Sequence, residues 1–449
     1  MASAAEQLAA NINFSAFGKA TELKQRLWFT LGALLVYRLG TYIPIPGIDP
    51  ETLRHIFQQN SGGILGIFDM FSGGALGRMS ILALNITPYI SASIIIQLLT
   101  AIVPSLEALK KEGEAGRKRL NQYTRYGTVA IALFQGFAIA GTLEVARGAG
   151  NASAVLDPGL SFRLVTTITL VGGTVFLMWL GEQITARGVG NGTSLIIFSG
   201  IVANLPAAVF NLLNQVRVGE TGPVVALVLA VLSVAVIAFI VFMERAQRRL
   251  LVQYPKRQHG NKVFGGESSH LPLKMNTSGV IPPIFASSLL LLPASIAGFQ
   301  AAQGDDGILG TIVGYVAHGK PLYMVLYVVL IVFFSFFYTA VVFNPAETAD
   351  NLKKYNGFIP GIRPGKNTAD YLDYVLTRLT VIGAAYLSVV CILPEILISQ
   401  YAVPFYFGGT SLLIVVSVTM DTVAQIHSHL LAHQYEGLIK KSKLRGRRG

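Results

Sequence analysis

The sequence predicts an all-α integral membrane protein of ten transmembrane helices. Three observations carry that reading. The 449 residues are 52% hydrophobic and only 13% charged, about half the charged share of an ordinary soluble domain. Apolar runs of about 20 residues, enough helix to cross ~30 Å of hydrocarbon, recur along the whole length. Basic residues collect on alternate connections between those runs, as the positive-inside rule requires of membrane spans.

In order, the predicted spans are residues 27–43, 79–103, 126–143, 163–181, 193–213, 223–243, 277–297, 322–343, 374–397 and 404–425. A polar tail, 1–26, precedes the first, and no small-residue cleavage site follows it, so that span is expected to serve as an uncleaved signal. The N-terminal tail, the even-numbered connections with their flanks and the C-terminal tail 426–449 hold 28 of the 35 Lys and Arg. The odd-numbered connections hold Arg54, Arg78, Arg147, Arg163, Arg217 and Lys320. Both termini are therefore expected in the cytoplasm. Cys391 is the single cysteine, within an apolar run, which excludes an intramolecular disulfide.

The long basic connection 244–275 falls near the middle and divides the spans into two halves, 27–213 and 214–425. Five spans per half would make the halves inverted in the membrane, a plan shared by transporters and channels. A second long connection, 344–373, carries "PGIRPG", where Pro fixes φ and Gly permits positive φ, so it reads as a stiff, non-helical projection with Arg363 at its tip. Setting topology does not require connections of such length or rigid turns.

The outer connection after the first span contains "GGILGIFDMFSGG", residues 62–74. Its apolar core, Ile64 to Phe71, would be ~12 Å long as a helix and cannot cross the membrane. It either lies at the interface or folds back into a cavity between helices.

Several chemistries find no support. No G-x-x-x-x-G-K-[ST] loop occurs, and "GVGNG" at 188–192 lacks the spacing of a dinucleotide site. His429 and His433 lie four apart without a carboxylate or thiolate at ligand spacing, which favours a solvated helix end over a metal site. Ionisable residues deep in the spans are few, Arg38 and, toward the inner end of the last span, Asp421, which weakens an ion-coupled transporter without excluding it.

"NITPYISASIIIQLL", 85–99, mixes apolar and polar groups. Ile86, Ile90, Ser93 and Gln97 share one helical face, which suits either a pore wall with an apolar constriction or packing through hydrogen bonds to neighbouring spans.

"FSGGALGRMSILALNITPYISASIIIQLL", "KKEGEAGRKRLNQYTRYGT", "FLMWLGEQITARGVGNGTSLIIF", "GVIPPIFASSLLLLP", "FFYTAVVFNPAETADNLKK", "GFIPGIRPG" and "VPFYFGGTSLLIVVSVTMD" closely resemble the bacterial SecY family, the central channel subunit of the Sec protein translocase. The match runs from about the first span to the C-terminal tail. The resemblance implies a clamshell of two inverted five-helix halves around an hourglass pore in the inner membrane. Its apolar pore ring maps to Ile86, Ile90, Ile197, Ile284, Leu289 and Ile414. The plug maps to Ile64, Leu65, Gly66, Ile67, Phe68, Asp69, Met70, Phe71, Ser72 and Gly73, within 62–74. A lateral gate between the second and seventh spans maps to Ser91, Gln97 and Asn276, whose mutual hydrogen bonds a signal peptide would displace.

Arg363, Arg257 and Lys256 map to the docking surface for the SecA ATPase or a ribosome, where basic projections suit acidic partners and ribosomal RNA. SecE and SecG are the implied membrane partners, signal peptides and unfolded secretory chains the cargo, and membrane lipid the destination of laterally released segments. No cofactor, metal or enzymatic activity is implied. Whether one complex or a homodimer of complexes acts stays open, as do a secondary transporter and a structural scaffold as alternatives.

Overall fold

The computed structural model describes residues 21–53, 69, 72–145, 153–219, 222–255, 257–259, 262–264, 268–290, 320–401 and 409–445. Its helices are α1 Thr21–Gly40, α2 Thr87–Ile102, α3 Pro104–Lys111, α4 Glu114–Val145, α5 Leu160–Arg187, α6 Gly192–Val218, α7 Pro223–Arg245, α8 Ile281–Leu290, α9 Pro321–Val342, α10 Pro345–Lys354, α11 Lys366–Tyr401 and α12 Gly409–Arg445. Among the described residues α4, α5, α6, α7, α9, α11 and α12 are long and apolar enough to cross a membrane, and the bent pair α2 and α3 passes the same test when joined.

Local sequence sets several boundaries. Asn191 caps α6 by accepting from the Thr193 and Ser194 amides, and Gly219 ends it in the left-handed region. Pro104 starts α3 and holds Val103 extended, so the chain turns by 99° between α2 and α3. Helix α4 has 32 residues, ~48 Å of helix, and its polar first turns extend past any hydrocarbon layer.

Two expectations change. The second span was expected from residue 79, but α2 begins only at Thr87. Met79 and Asn85 adopt positive φ, and the Ile45 and Ile81 amides donate to the Met79 and Ile43 carbonyls at 2.9 Å, so 79–86 runs as turns against the end of α1. The 344–373 connection is not wholly non-helical, because Asn344 caps the ten-residue α10 by accepting from the Ala346 and Glu347 amides.

The two basic connections form one unit. Strands β1 Gln247–Gln253 and β4 Ser268–Lys274 pair antiparallel, with the short hairpin β2 Arg257–His259 and β3 Lys262–Phe264 between them in sequence. Gln253 and Phe358 exchange both backbone hydrogen bonds, at 2.9 and 3.0 Å. Leu250, Leu273, Ile359, Leu372 and Leu376 bury together beneath this junction.

Glycine permits close backbone contacts at α5 and α6. A Cβ on Gly173 of α5 would lie 1.9 Å from the Ile81 carbonyl oxygen, and one on Gly192 would lie 1.9 Å from that of Gly181. Because Gly173 seats the turn that leads into α2, Gly173→Ala is expected to cost about 1–3 kcal/mol through overpacking. A lowered Tm of the purified protein in detergent is the readout, and an unchanged Tm would show that the turn can shift at no cost.

Candidate channel constriction and its surroundings

Five expected ring residues from four helices meet in one apolar cluster. Ile86 at the N-cap of α2, Ile197 on α6 and Ile414 on α12 are 1%, 6% and 1% exposed, and Ile90 and Ile284 pack against them. Tyr37, Leu177, Leu180 and Ile184 close the cluster on the side of α1 and α5. Isoleucine offers no hydrogen-bond donor or acceptor in its side chain, and its branched Cβ leaves few rotamers, so the contact is dry and stiff.

Leu289 does not join them. It is 38% exposed, and five residues beyond Ile284 it points roughly 140° away around α8. Leu289 thus lies on a different side of α8 from Ile284, outside the buried cluster.

The polar trio also departs from expectation. Ser91 and Asn276 are buried, and Gln97 is half-buried, but the three do not bond one another. The Gln97 amide donates to Ser93 Oγ at 3.2 Å on its own helix, while Ser91 Oγ and Gln97 Oε1 are buried without partners. Asn276 is fully engaged elsewhere. Its Nδ2 donates to Glu244 Oε1 at 2.7 Å and to the Gly279 carbonyl at 3.0 Å, and its Oδ1 accepts from Ser278. Sequence reasoning missed Glu244, which reads as one more charge of a basic connection until the fold brings the end of α7 beside Asn276. Ile94 of α2 and Phe285, Ala286 and Leu290 of α8 bury in one apolar cluster, with Ile90, Leu98 and Ile281 packed against it.

Of the expected plug, Ile64, Leu65, Gly66, Ile67, Phe68, Met70 and Phe71 lie outside the described residues. Asp69, Ser72 and Gly73 are described and tightly held. The Gly77 amide donates to Asp69 Oδ1 at 2.5 Å, the Gly74 amide donates to the Asp69 carbonyl at 2.8 Å, and Tyr37 donates to the Ser72 carbonyl at 3.3 Å. Burial pushes the Asp69 carboxyl above the usual carboxylate range, against the opposing pull of the Gly77 amide and the Arg78 guanidinium.

At the opposite, basic end Arg363 is exposed on the turn between Gly361 and Gly365, both at positive φ. The Thr368 hydroxyl donates to its carbonyl at 3.0 Å and anchors that turn. Arg248, Arg249, Lys353, Lys354 and Lys366 are exposed on the same joined unit. Arg257 lies in β2 opposite Phe264; its side chain and the whole of Lys256 lie outside the described residues.

The SecY family model matches residues 80–423. The chain is 55% identical over 425 residues to the protein translocase subunit SecY of Rickettsia conorii, covering 94% of this chain and 97% of that one. It is 54% identical over 432 residues to the SecY subunit of Escherichia coli K12, covering 96% and 97%. Among solved structures, one described as a protein conducting channel superposes with a TM-score of 0.68 at 17% identity, covering 91% of this chain and 92% of that one. Sec61 in a canine ribosome-channel complex superposes with a TM-score of 0.62 at 17% identity, with the same coverage.

The bonding pattern separates the polar residues energetically. Asn276→Ala strands the Glu244 carboxylate and should cost about 1–3 kcal/mol, whereas Ser91→Ala removes a buried hydroxyl without a partner and should be neutral or stabilising. Thermal unfolding of the two variants side by side tests this; equal destabilisation would show that Ser91 has a partner.

Proposed function

The chain belongs to the SecY family of translocase channel subunits, and from that premise we propose a passive, gated pore that passes unfolded secretory polypeptides across the bacterial inner membrane. The observation that carries the proposal is the meeting of Ile86, Ile90, Ile197, Ile284 and Ile414 in one dry cluster. Two of the four helices that supply them belong to each half of the sequence. A constriction of this kind hinders ions by excluding water, and it yields to any unfolded chain because no side-chain hydrogen bond has to be matched. Leu289 is left out of the ring.

The finer organisation belongs to the same reading. Ten spans form two inverted halves with both termini cytoplasmic. Residues 64–73 form a plug on the outer side of the ring. A lateral gate lies between the second and seventh spans, α2 and α8, and opens when the apolar face of a signal peptide replaces the contact of Ile94 with Phe285 and their neighbours. Its latch is mainly apolar, because Asn276 is committed to Glu244. Polar contacts across a membrane helix pair are worth only ~1 kcal/mol each, so their absence costs the closed gate little.

The chain contains no phosphate-cradling loop of the Walker type, so the driving force comes from a partner. The exposed Arg363 turn, joined to the β1/β4 ribbon, suits docking of the SecA ATPase or of ribosomal RNA. Sec61, a structural neighbour, was solved in a ribosome-channel complex, which supports a ribosome as one partner. SecE and SecG complete the proposed complex in the membrane.

The direct test replaces Cys391 and Ile284 with Ser and Cys, respectively, and stalls a secretory chain carrying one cysteine in transit. A disulfide to position 284 that appears only during arrest is expected; its absence, with ready linkage to lipid-facing sites, would overturn the pore assignment. Ile90→Asn should raise the resting ion leak of vesicles by about tenfold, as loss of ~1.4 kcal/mol of seal would. Arg363→Glu is expected to abolish secretion while the complex stays assembled, and normal secretion would remove that residue from the docking surface.

A further inference from the structure

Arg38 is one of the few ionisable groups deep in the predicted spans, and Arg78 reads in sequence only as an outer-side basic residue. The fold brings them together on a single atom. Arg38 Nη1 donates to the Gly73 carbonyl at 2.8 Å, and Arg78 Nη2 donates to the same oxygen at 3.0 Å. Tyr42 lies beside both guanidinium groups, its ring centre 5.3 Å from the Arg38 Cζ and 4.3 Å from the Arg78 Cζ. Arg78 Nε also donates to the Thr41 carbonyl at 3.3 Å, at the negative end of α1. Among the described residues neither arginine is ion-paired to a carboxylate.

The two guanidinium groups repel each other, and the nearby Asp69 carboxylate offsets part of that repulsion on the Arg78 side. What the pair holds is the last residue of the plug, Gly73. Gly73 and Gly74 sit at φ +67° and +80°, a conformation that needs glycine, and a Cβ on Gly73 would lie 3.0 Å from the Gly200 Cα of α6. Gly200 is three residues beyond the ring residue Ile197 on that helix.

We infer that Arg38 and Arg78 are positioning residues, a two-pronged clasp on the Gly73 carbonyl that keeps the root of the plug seated against α6. The inference rests on the plug reading given above. Each prong is weak by itself, since Arg78 is exposed and Arg38 is only half-buried, so water competes for both. The same exposure makes release reversible, because neither charge is stranded when the carbonyl moves away. The Tyr42 ring then keeps the two guanidinium groups close to their docking position.

The test measures resting potassium leak from vesicles containing the whole complex, with R38Q, R78Q, the double variant, and a deletion of residues 64–71. Each single variant is expected to raise the leak two- to threefold and the double variant roughly tenfold or more, the scale of losing charge-assisted hydrogen bonds. In the deletion background the double variant should add nothing. If deletion raises the leak and the double variant does not, the clasp is refuted while the plug stands. If deletion itself leaves the leak unchanged, the plug reading fails first. An equal increase from the double variant with and without 64–71 places the arginines in a different role and also refutes the clasp. Should the double variant fail to assemble, R38Q and R78Q decide alone, and unchanged leak in both overturns the inference.

Discussion

The structure depends on a dry contact among isoleucines from four helices. In hydrocarbon the attraction between apolar helix faces is small, because lipid tails satisfy those faces equally well. Shape therefore matters more than hydrophobicity. The Ile86, Ile197 and Ile414 side chains are almost wholly enclosed, and Ile90 and Ile284 complete the contact from the rim. The β-branch limits their rotamers, so a small displacement of one helix removes contact instead of being absorbed by side-chain motion.

Around that contact the polar groups are arranged to leave it undisturbed. Asn276 is bound to Glu244, Gly279 and Ser278, and Gln97 to Ser93, so none of them ties α2 to α8. The helix pair is left to apolar packing of Ile94 and Leu98 against α8 and its neighbours. Before α2 the opposite solution holds, where backbone groups of Ser72, Gly73 and Gly77 are gripped by tyrosine, arginine and aspartate side chains. Rigid bonding there places the turn that feeds into Ile86.

Ten hydrophobic runs were legible, and each has a described helix overlapping it. Their ends were less so. Hydropathy marks where a chain is apolar, and residues 79–86 are apolar, yet positive φ at Met79 and Asn85 and the bonds to Ile43 and Ile45 keep them out of the helix. The same limit applies to α4, whose polar first turns are helical without being in the membrane. Leu289 matches a ring by residue type, while its spacing from Ile284 places it on another side of α8, outside the buried cluster.

By itself the sequence determined the membrane class, and it supplied the expected sidedness of the connections and the isoleucines of the apolar cluster. Hydropathy and the sidedness of Lys and Arg are sums over neighbouring residues, and such sums need no knowledge of distant contacts. Only the tertiary structure decided which polar groups meet. Glu244 and Asn276 are 32 residues apart and Arg38 and Gly73 are 35 apart, so no local pattern connects them. Those pairs exist because packing brings the end of α7 beside the approach to α8, and the end of α1 beside the turn that precedes α2.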